Sequence, residues 1–311
     1  VELRRIIQQL PRSPGVYRFR DARGTVLYIG RATELRPRVA SYWSKLRGRR
    51  HLARMVPRID RIEAVACDSV HEATWLERNL LERSLPRWNR TRGGQETPVY
   101  LRLDPHPGKP GLTVAHVRQS ADEISYFGPY LGGERARLTV SALHRILPLA
   151  HTGNRLRGAE LDMARARGVD PLDAPALAEA VAAVLRRDPE AIAQARSALT
   201  AARDRASGAM AFELAGRIQE EIQALEWTTG IQRVTVEDGP EADVYGWSDG
   251  ILVHFAIRAG RLEQWTQRSC GPARALDRLA STPPEWSEFA RRAAELAVAL
   301  GGPQPAPEVE P

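Results

Sequence analysis

The sequence predicts an α+β protein: a small mixed sheet flanked by helices, then a helical region containing a helical hairpin, then a small β-rich unit. Three observations predict it. Two short β-favouring runs, 16–20 and 25–29, flank Asp21-Ala22-Arg23-Gly24, which has the composition of a hairpin turn. Residues 173–227 are almost wholly helix-forming and rich in alanine. Beyond Thr229 the pattern returns to strands.

After the first hairpin, Leu35, Val39, Tyr42 and Trp43 make an apolar stripe at helical spacing, with Thr33 as the expected N-cap and Glu34 in the first turn. A second helix is expected over 49–58. Alternation of Arg61 and Glu63 with Ile62 and Ala64 predicts a third strand, and Ser69 caps a helix that runs to about Ser84, ahead of Pro86. Residues 98–130 are strand-like and broken by the Pro/Gly cluster at 105–111; helical periodicity resumes after Gly133 as far as Leu147. The long helical stretch is interrupted at Asp188-Pro189 and again at Ser207-Gly208, the second break marking a hairpin. Strands follow at 242–247, 251–257 and 261–268, then a last helix over about 284–300. The expected segments are therefore 10–100, a connecting α/β segment 101–155, a helical region 156–228 with its hairpin at about 190–227, a β-rich unit 229–300 and a disordered Pro-rich tail 301–311.

With 311 residues, 43% of them apolar, the chain can bury two or three cores. No apolar run approaches the roughly 20 residues that span a bilayer, and Val1-Glu2-Leu3-Arg4-Arg5 is too polar for a signal peptide, so a cytoplasmic protein without membrane association is expected. Cys67 and Cys270 stand far apart, which excludes a disulfide framework and a cysteine-ligated zinc. Positive charge is concentrated: residues 1–103 hold 22 Lys and Arg against 10 Asp and Glu, whereas the remainder holds 23 against 28. That asymmetry fits phosphate-backbone binding. A solvated basic surface remains the alternative, because only Lys45 and Lys109 are lysine and the arginines reflect a composition bias.

The motifs decide between the two. Pro14-Gly15-Val16-Tyr17, Leu27-Tyr28-Ile29-Gly30-Arg31-Ala32, Leu35 and Arg38, followed by Leu76-Glu77, Asn79-Leu80 and Pro86-Arg87-Trp88-Asn89, resemble the GIY-YIG nuclease domain of the UvrC family. Any one of these residues alone would be ordinary: an isolated helical Glu is solvated, and a Tyr on a strand is half-buried packing. Their ordered co-occurrence is what carries the resemblance. Phosphodiester hydrolysis needs an activated water and a place for negative charge on the phosphate. Glu77 is the one carboxylate expected in the site, a hard oxygen ligand suited to one Mg²⁺ or Mn²⁺. Arg38 lies four residues before Tyr42, on the same helix face, and its planar fork suits a phosphate clamp. The resemblance further implies that Tyr17 or Tyr28 takes the proton from water, and that Asn89 fixes the metal end of the site or a phosphate oxygen. The expected catalytic set is Tyr17, Tyr28, Arg31, Arg38, Tyr42, Glu77 and Asn89. Arg31 departs from the family, which commonly has Lys there; an arginine polarises a tyrosine or contacts phosphate but is no general base. The seven histidines show no paired ligand spacing.

The resemblance continues through Tyr126-Phe127-Gly128-Pro129-Tyr130 and Ile146-Leu147-Pro148. Family members then carry a cysteine cluster tied to an iron-sulfur centre; 149–173 contains no cysteine here, so no iron-sulfur cluster is expected. Residues 206–227 resemble the helical motif through which UvrB and UvrC associate, with Met210, Phe212, Ala215, Ile218 and Ile222 as the expected contacts to a UvrB-like helicase; the plainer reading is the core face of a helical hairpin. Asp243-Val244-Tyr245-Gly246 resembles the start of the UvrC C-terminal half, whose ribonuclease-H-like and helix-hairpin-helix domains are not found, so a short UvrC-like protein is expected. The resemblance implies one DNA cut, the 3′ incision of nucleotide excision repair. A catalytically weak DNA- and UvrB-binding adaptor, or a flap or junction nuclease, are the alternatives.

Overall fold

The computed structural model describes residues 2–44, 50–93, 97–119, 123–234, 239 and 241–302. The chain folds as two compact units, one made of 1–95 together with 231 onward, the other of 96–230.

In the first unit, α1 (Glu2–Gln9) precedes β1 (Gly15–Arg20), β2 (Val26–Ala32), α2 (Leu35–Ala40), α3 (Arg50–Ala53), β3 (Arg61–Ala66) and α4 (Val70–Arg83). The sheet runs β2-β1-β3 and is antiparallel throughout. Its hairpin closes because Asp21 Oδ1 accepts from the backbone N–H groups of Arg23 and Thr25, while Gly24 takes the positive φ, 77°, that the turn requires. The N-cap expected of Thr33 is not used. The first turn of α2 instead donates from Leu35 and Arg36 to the carbonyls of Ser13 and Pro11, at 3.0 and 3.2 Å, so neighbouring backbone replaces the side-chain cap. Ser69 does cap α4, accepting from the Glu72 N–H at 2.9 Å.

The segment expected as a separate β-rich unit folds onto this one. It contains β7 (Ala242–Ser248), β8 (Ile251–Arg258) and β9 (Arg261–Ser269) in an antiparallel meander, then α10 (Pro272–Leu279) and α11 (Pro284–Ala299). A Cβ on Gly246 would lie 1.9 Å from the carbonyl oxygen of Ala290, so glycine is what lets β7 and α11 meet. Leu296 and Leu300 then join the core of Leu10, Phe19, Leu35 and Ile62. Arg18 and Glu63, both on the sheet and both buried, form an ion pair, and Arg18 donates to the carbonyl of Trp265 at 2.8 Å beneath that residue's ring.

The second unit has a sheet of order β5-β4-β6, from β4 (Pro98–Asp104), β5 (Gly111–Ala115) and β6 (Ser125–Leu131). Helices α5 (Gly133–Ile146), α6 (Ala159–Ala166), α7 (Ala174–Leu185), α8 (Pro189–Gly208) and α9 (Phe212–Thr229) follow. In 149–173, backbone pairing of Gly153 to Pro171 and of Asn154 to Pro107, both at 2.8 Å, accompanies the buried Leu149 and Ala164. Helices α8 and α9 make the expected hairpin, turning at Met210 with φ 59°. Its apolar stripe divides between core and surface. Ile218 and Ile222, with Ala215 packed against them, fill the core, whereas Met210 and Phe212 at the turn are 77% and 68% exposed. Beyond Gly302, the expected tail lies outside the described residues.

Candidate active site

Strand β2 is an edge strand, and its free edge is where the site is built. An edge leaves alternate backbone groups without ladder partners. The Ile29 N–H donates to Asn89 Oδ1 at 2.9 Å and Asn89 Nδ2 donates back to the Ile29 carbonyl at 2.8 Å, so one side-chain amide imitates a paired strand. Two residues on, the Arg31 N–H donates to Glu77 Oε1 at 3.1 Å. Asn89 thus uses its amide to hold β2.

Glu77 projects from the middle of α4, partly exposed, and its Oε2 lies 3.2 Å from Arg31 Nε. Arg31 also donates to Thr74 Oγ1. Thr74 was absent from the sequence-predicted set, although a position one helical turn before Glu77 shares its face and signals such a contact.

The tyrosines meet on the sheet face opposite Arg31. Tyr17 pairs with Gly30 and Phe19 with Tyr28, so these four share one face. A Cβ on Gly30 would lie 2.6 Å from the Tyr17 hydroxyl oxygen; the glycine is the floor on which that ring rests. Tyr17 and Tyr42 share a hydrogen bond of 2.8 Å between hydroxyls, and the Tyr28 ring centre lies 6.3 Å from Tyr17 and 5.9 Å from Tyr42. The Arg38 guanidinium sits 5.5 Å from the centre of the Tyr42 ring.

Burial pushes the pKa of all three tyrosines upward, with their mutual proximity adding to it and Arg38 opposing it. For Arg38 itself burial disfavours the charge, but Tyr17 and Tyr42 outweigh it and raise its pKa. A folded-state tyrosine pKa above the unfolded value of about 10 means stability that is fully present below that value and lost as pH rises through the folded one. Tyr17, Tyr28 and Tyr42 are therefore expected to stay protonated one pH unit above about 10 while the denatured chain ionises. Tyrosinate absorbance of native and denatured protein checks this; equal titration of both would contradict the packing.

Glu77 suits a divalent cation as a hard oxygen donor whose carboxylate also meets Arg31. Among the described residues no group of three or more His, Cys, Asp or Glu could hold a metal. Among the described residues, too, no helix is long and apolar enough to cross a membrane.

The family described as the UvrC-like GIY-YIG domain matches residues 13–90. UvrABC system protein C of Geobacter metallireducens is 34% identical over 276 residues, 82% of this chain and 44% of that protein. The same protein of Trichlorobacter lovleyi is 38% identical over 151 residues, 49% of this chain and 25% of its own length. The GIY-YIG N-terminal endonuclease domain of UvrC from Thermotoga maritima, solved with magnesium as its catalytic divalent cation, is 32% identical; the match covers 28% of this chain and 96% of that one, with a TM-score of 0.26. This chain spans less than half the length of the two UvrC proteins. Residues 13–90 belong to the UvrC-like GIY-YIG family, and similarity to UvrC proteins extends over most of the chain.

Proposed function

We propose that this chain is a divalent-metal-dependent DNA endonuclease of the UvrC type, which hydrolyses one phosphodiester on the 3′ side of a lesion in nucleotide excision repair. The observation that supports it best is the gathering of Arg38, the three tyrosine rings and Glu77 around one edge of a small sheet. A divalent cation bound at Glu77, Mg²⁺ or Mn²⁺, supplies positive charge beside the phosphate and acidifies bound water. Arg38 holds the scissile phosphate and opposes part of the rise that burial imposes on the tyrosine pKa values. Tyr28 is the least buried of the three; as a neutral phenol it would take the proton from water while passing its own to a phosphate oxygen, and Tyr17 and Tyr42 fix its orientation from behind. Arg31 and Asn89 hold Glu77 and β2 in place.

The test is Mg²⁺- or Mn²⁺-dependent nicking of a lesion-bearing duplex labelled at both ends, with and without a UvrB-like helicase. One cut, 3′ of the lesion, supports the reading; metal-independent or absent cutting contradicts it, and cutting only of branched DNA identifies a flap or junction nuclease. Arg38→Ala is expected to lower turnover roughly 10²-fold, and Arg38→Lys to restore only part, because an ammonium lacks the bidentate fork. Full rescue by Lys would exclude a clamp.

The exposed apolar turn of the hairpin supports association with the helicase through Met210 and Phe212. Phe212→Ala is expected to weaken pull-down at least about tenfold while changing stability by no more than about 0.5 kcal/mol. Unchanged pull-down would remove Phe212 from the interface.

A further inference from the structure

Helix α4 carries Glu77 and is gripped at both ends by residues from beyond position 230. At its start, Arg233 Nη1 donates to Asp68 at 2.7 Å and to Glu72 at 2.8 Å, Arg292 donates to Asp68 at 2.5 Å, and Ser69 Oγ donates to the Ile231 carbonyl at 2.6 Å. At its end, Glu82 faces Arg261 and Arg83 faces Glu263, each pair at 3.6 Å. The Arg233 guanidinium is itself seated 5.1 Å from the Phe289 ring centre on α11. At about 100° per residue, Glu72, Leu76, Asn79 and Arg83 share one face, and Glu77 lies roughly 140° around the helix from Glu72. Glu72, Leu76 and Asn79 are buried there.

The helix thus has a gripped face and a catalytic face, and its roll about its own axis places Glu77 against β2. With side chains reaching roughly 5–6 Å from the axis, a roll of about 15° moves a carboxylate by roughly 1.5 Å. A misplacement of about 1 Å can cost roughly 10²-fold in rate.

We propose that residues 231–234 and 241–302 are a positioning part of the nuclease site, with Arg233 as the positioning residue that fixes the roll of α4 and hence the place of Glu77. The proposal rests on the reading of Glu77 as the metal-holding carboxylate. The experiment uses the full chain with Arg233→Met, Arg233→Lys and the double variant Glu72→Gln/Arg233→Met, which leaves no unpaired Glu72 charge and keeps the chain folded. Expected for the Met variants are at least about tenfold lower kcat with unchanged KM for DNA, at least about fivefold weaker Mn²⁺ binding without DNA, and faster amide exchange across 74–80; Lys restores part of each. The double variant should recover melting temperature but not kcat. Wild-type kcat, Mn²⁺ affinity and exchange in the folded double variant overturn the proposal. If the wild-type chain neither nicks DNA nor binds Mn²⁺, the nuclease reading falls instead. Exchange across 74–80 then decides the positioning alone: faster in Arg233→Met supports it, unchanged overturns it.

Discussion

Glu77→Gln is expected to lower nicking by roughly 10²–10³-fold, about 2.7–4 kcal/mol of transition-state stabilisation, while fold and DNA binding survive. The amide keeps the shape of the side chain and an oxygen able to accept from the Arg31 N–H, so the edge of β2 stays covered. It loses the charge on which a divalent cation would depend. Little stability is at risk, because the Arg31–Glu77 contact is partly exposed and such pairs contribute about 0–1 kcal/mol. DNA affinity should hold or rise slightly with one negative charge fewer. Nicking at the wild-type rate, with Mn²⁺ titration unchanged, would remove Glu77 from the site.

Glu63→Gln is expected to act on stability with comparable force. Arg18 and Glu63 are 5% and 3% exposed, and Glu63 also accepts from Arg20 at 2.9 Å. Burial pulls the Arg18 pKa down to about 10, with Glu63 opposing the fall, so Arg18 stays charged at neutral pH and needs its partner. Leaving one buried charge uncompensated costs about 3–5 kcal/mol, a large share of the roughly 5–15 kcal/mol that holds a domain together. Removing both charges, as Arg18→Met with Glu63→Leu, should recover most of that loss, because two desolvation penalties vanish together. Denaturant unfolding of the three proteins gives the comparison; a Glu63→Gln chain within about 1 kcal/mol of wild type would show that the pair is not dry.

What could be read from sequence followed from local rules. The β1–β2 turn was legible in Asp21 to Gly24, and α4 in Ser69, because one short side-chain bond decides each. The residues gathered at the edge of β2 were legible as an ordered set, yet the task of Asn89 was not, since only the pairing order reveals that β2 has a free edge to cover. Periodicity found the stripe on α9 but cannot say where a neighbour stops; the core covers Ile218 and Ile222 and ends before Phe212. Nothing local marks Arg18, Asp68 and Glu72 as paired, and their partners Trp265, Arg292 and Arg233 are encoded more than 160 residues away. No window of sequence contains both halves of that contact. The helices α1, α6 and α10 are 8 residues each, shorter than the roughly 11–18-residue window over which periodicity is read.

The chain leaves the first unit after residue 95 and returns at 231, with 135 residues of another unit between. At roughly 5–20 residues per second, a ribosome takes roughly 7–27 s to deliver the closing half. Through that interval the newly made sheet and α4 present to water the face that α11 and β9 will later cover. Arg18, Glu63, Asp68 and Glu72 on that face are hydrated without penalty while they wait, whereas an all-aliphatic surface would be adhesive. The charges whose burial is costly in the finished protein keep that face hydrated on the nascent chain.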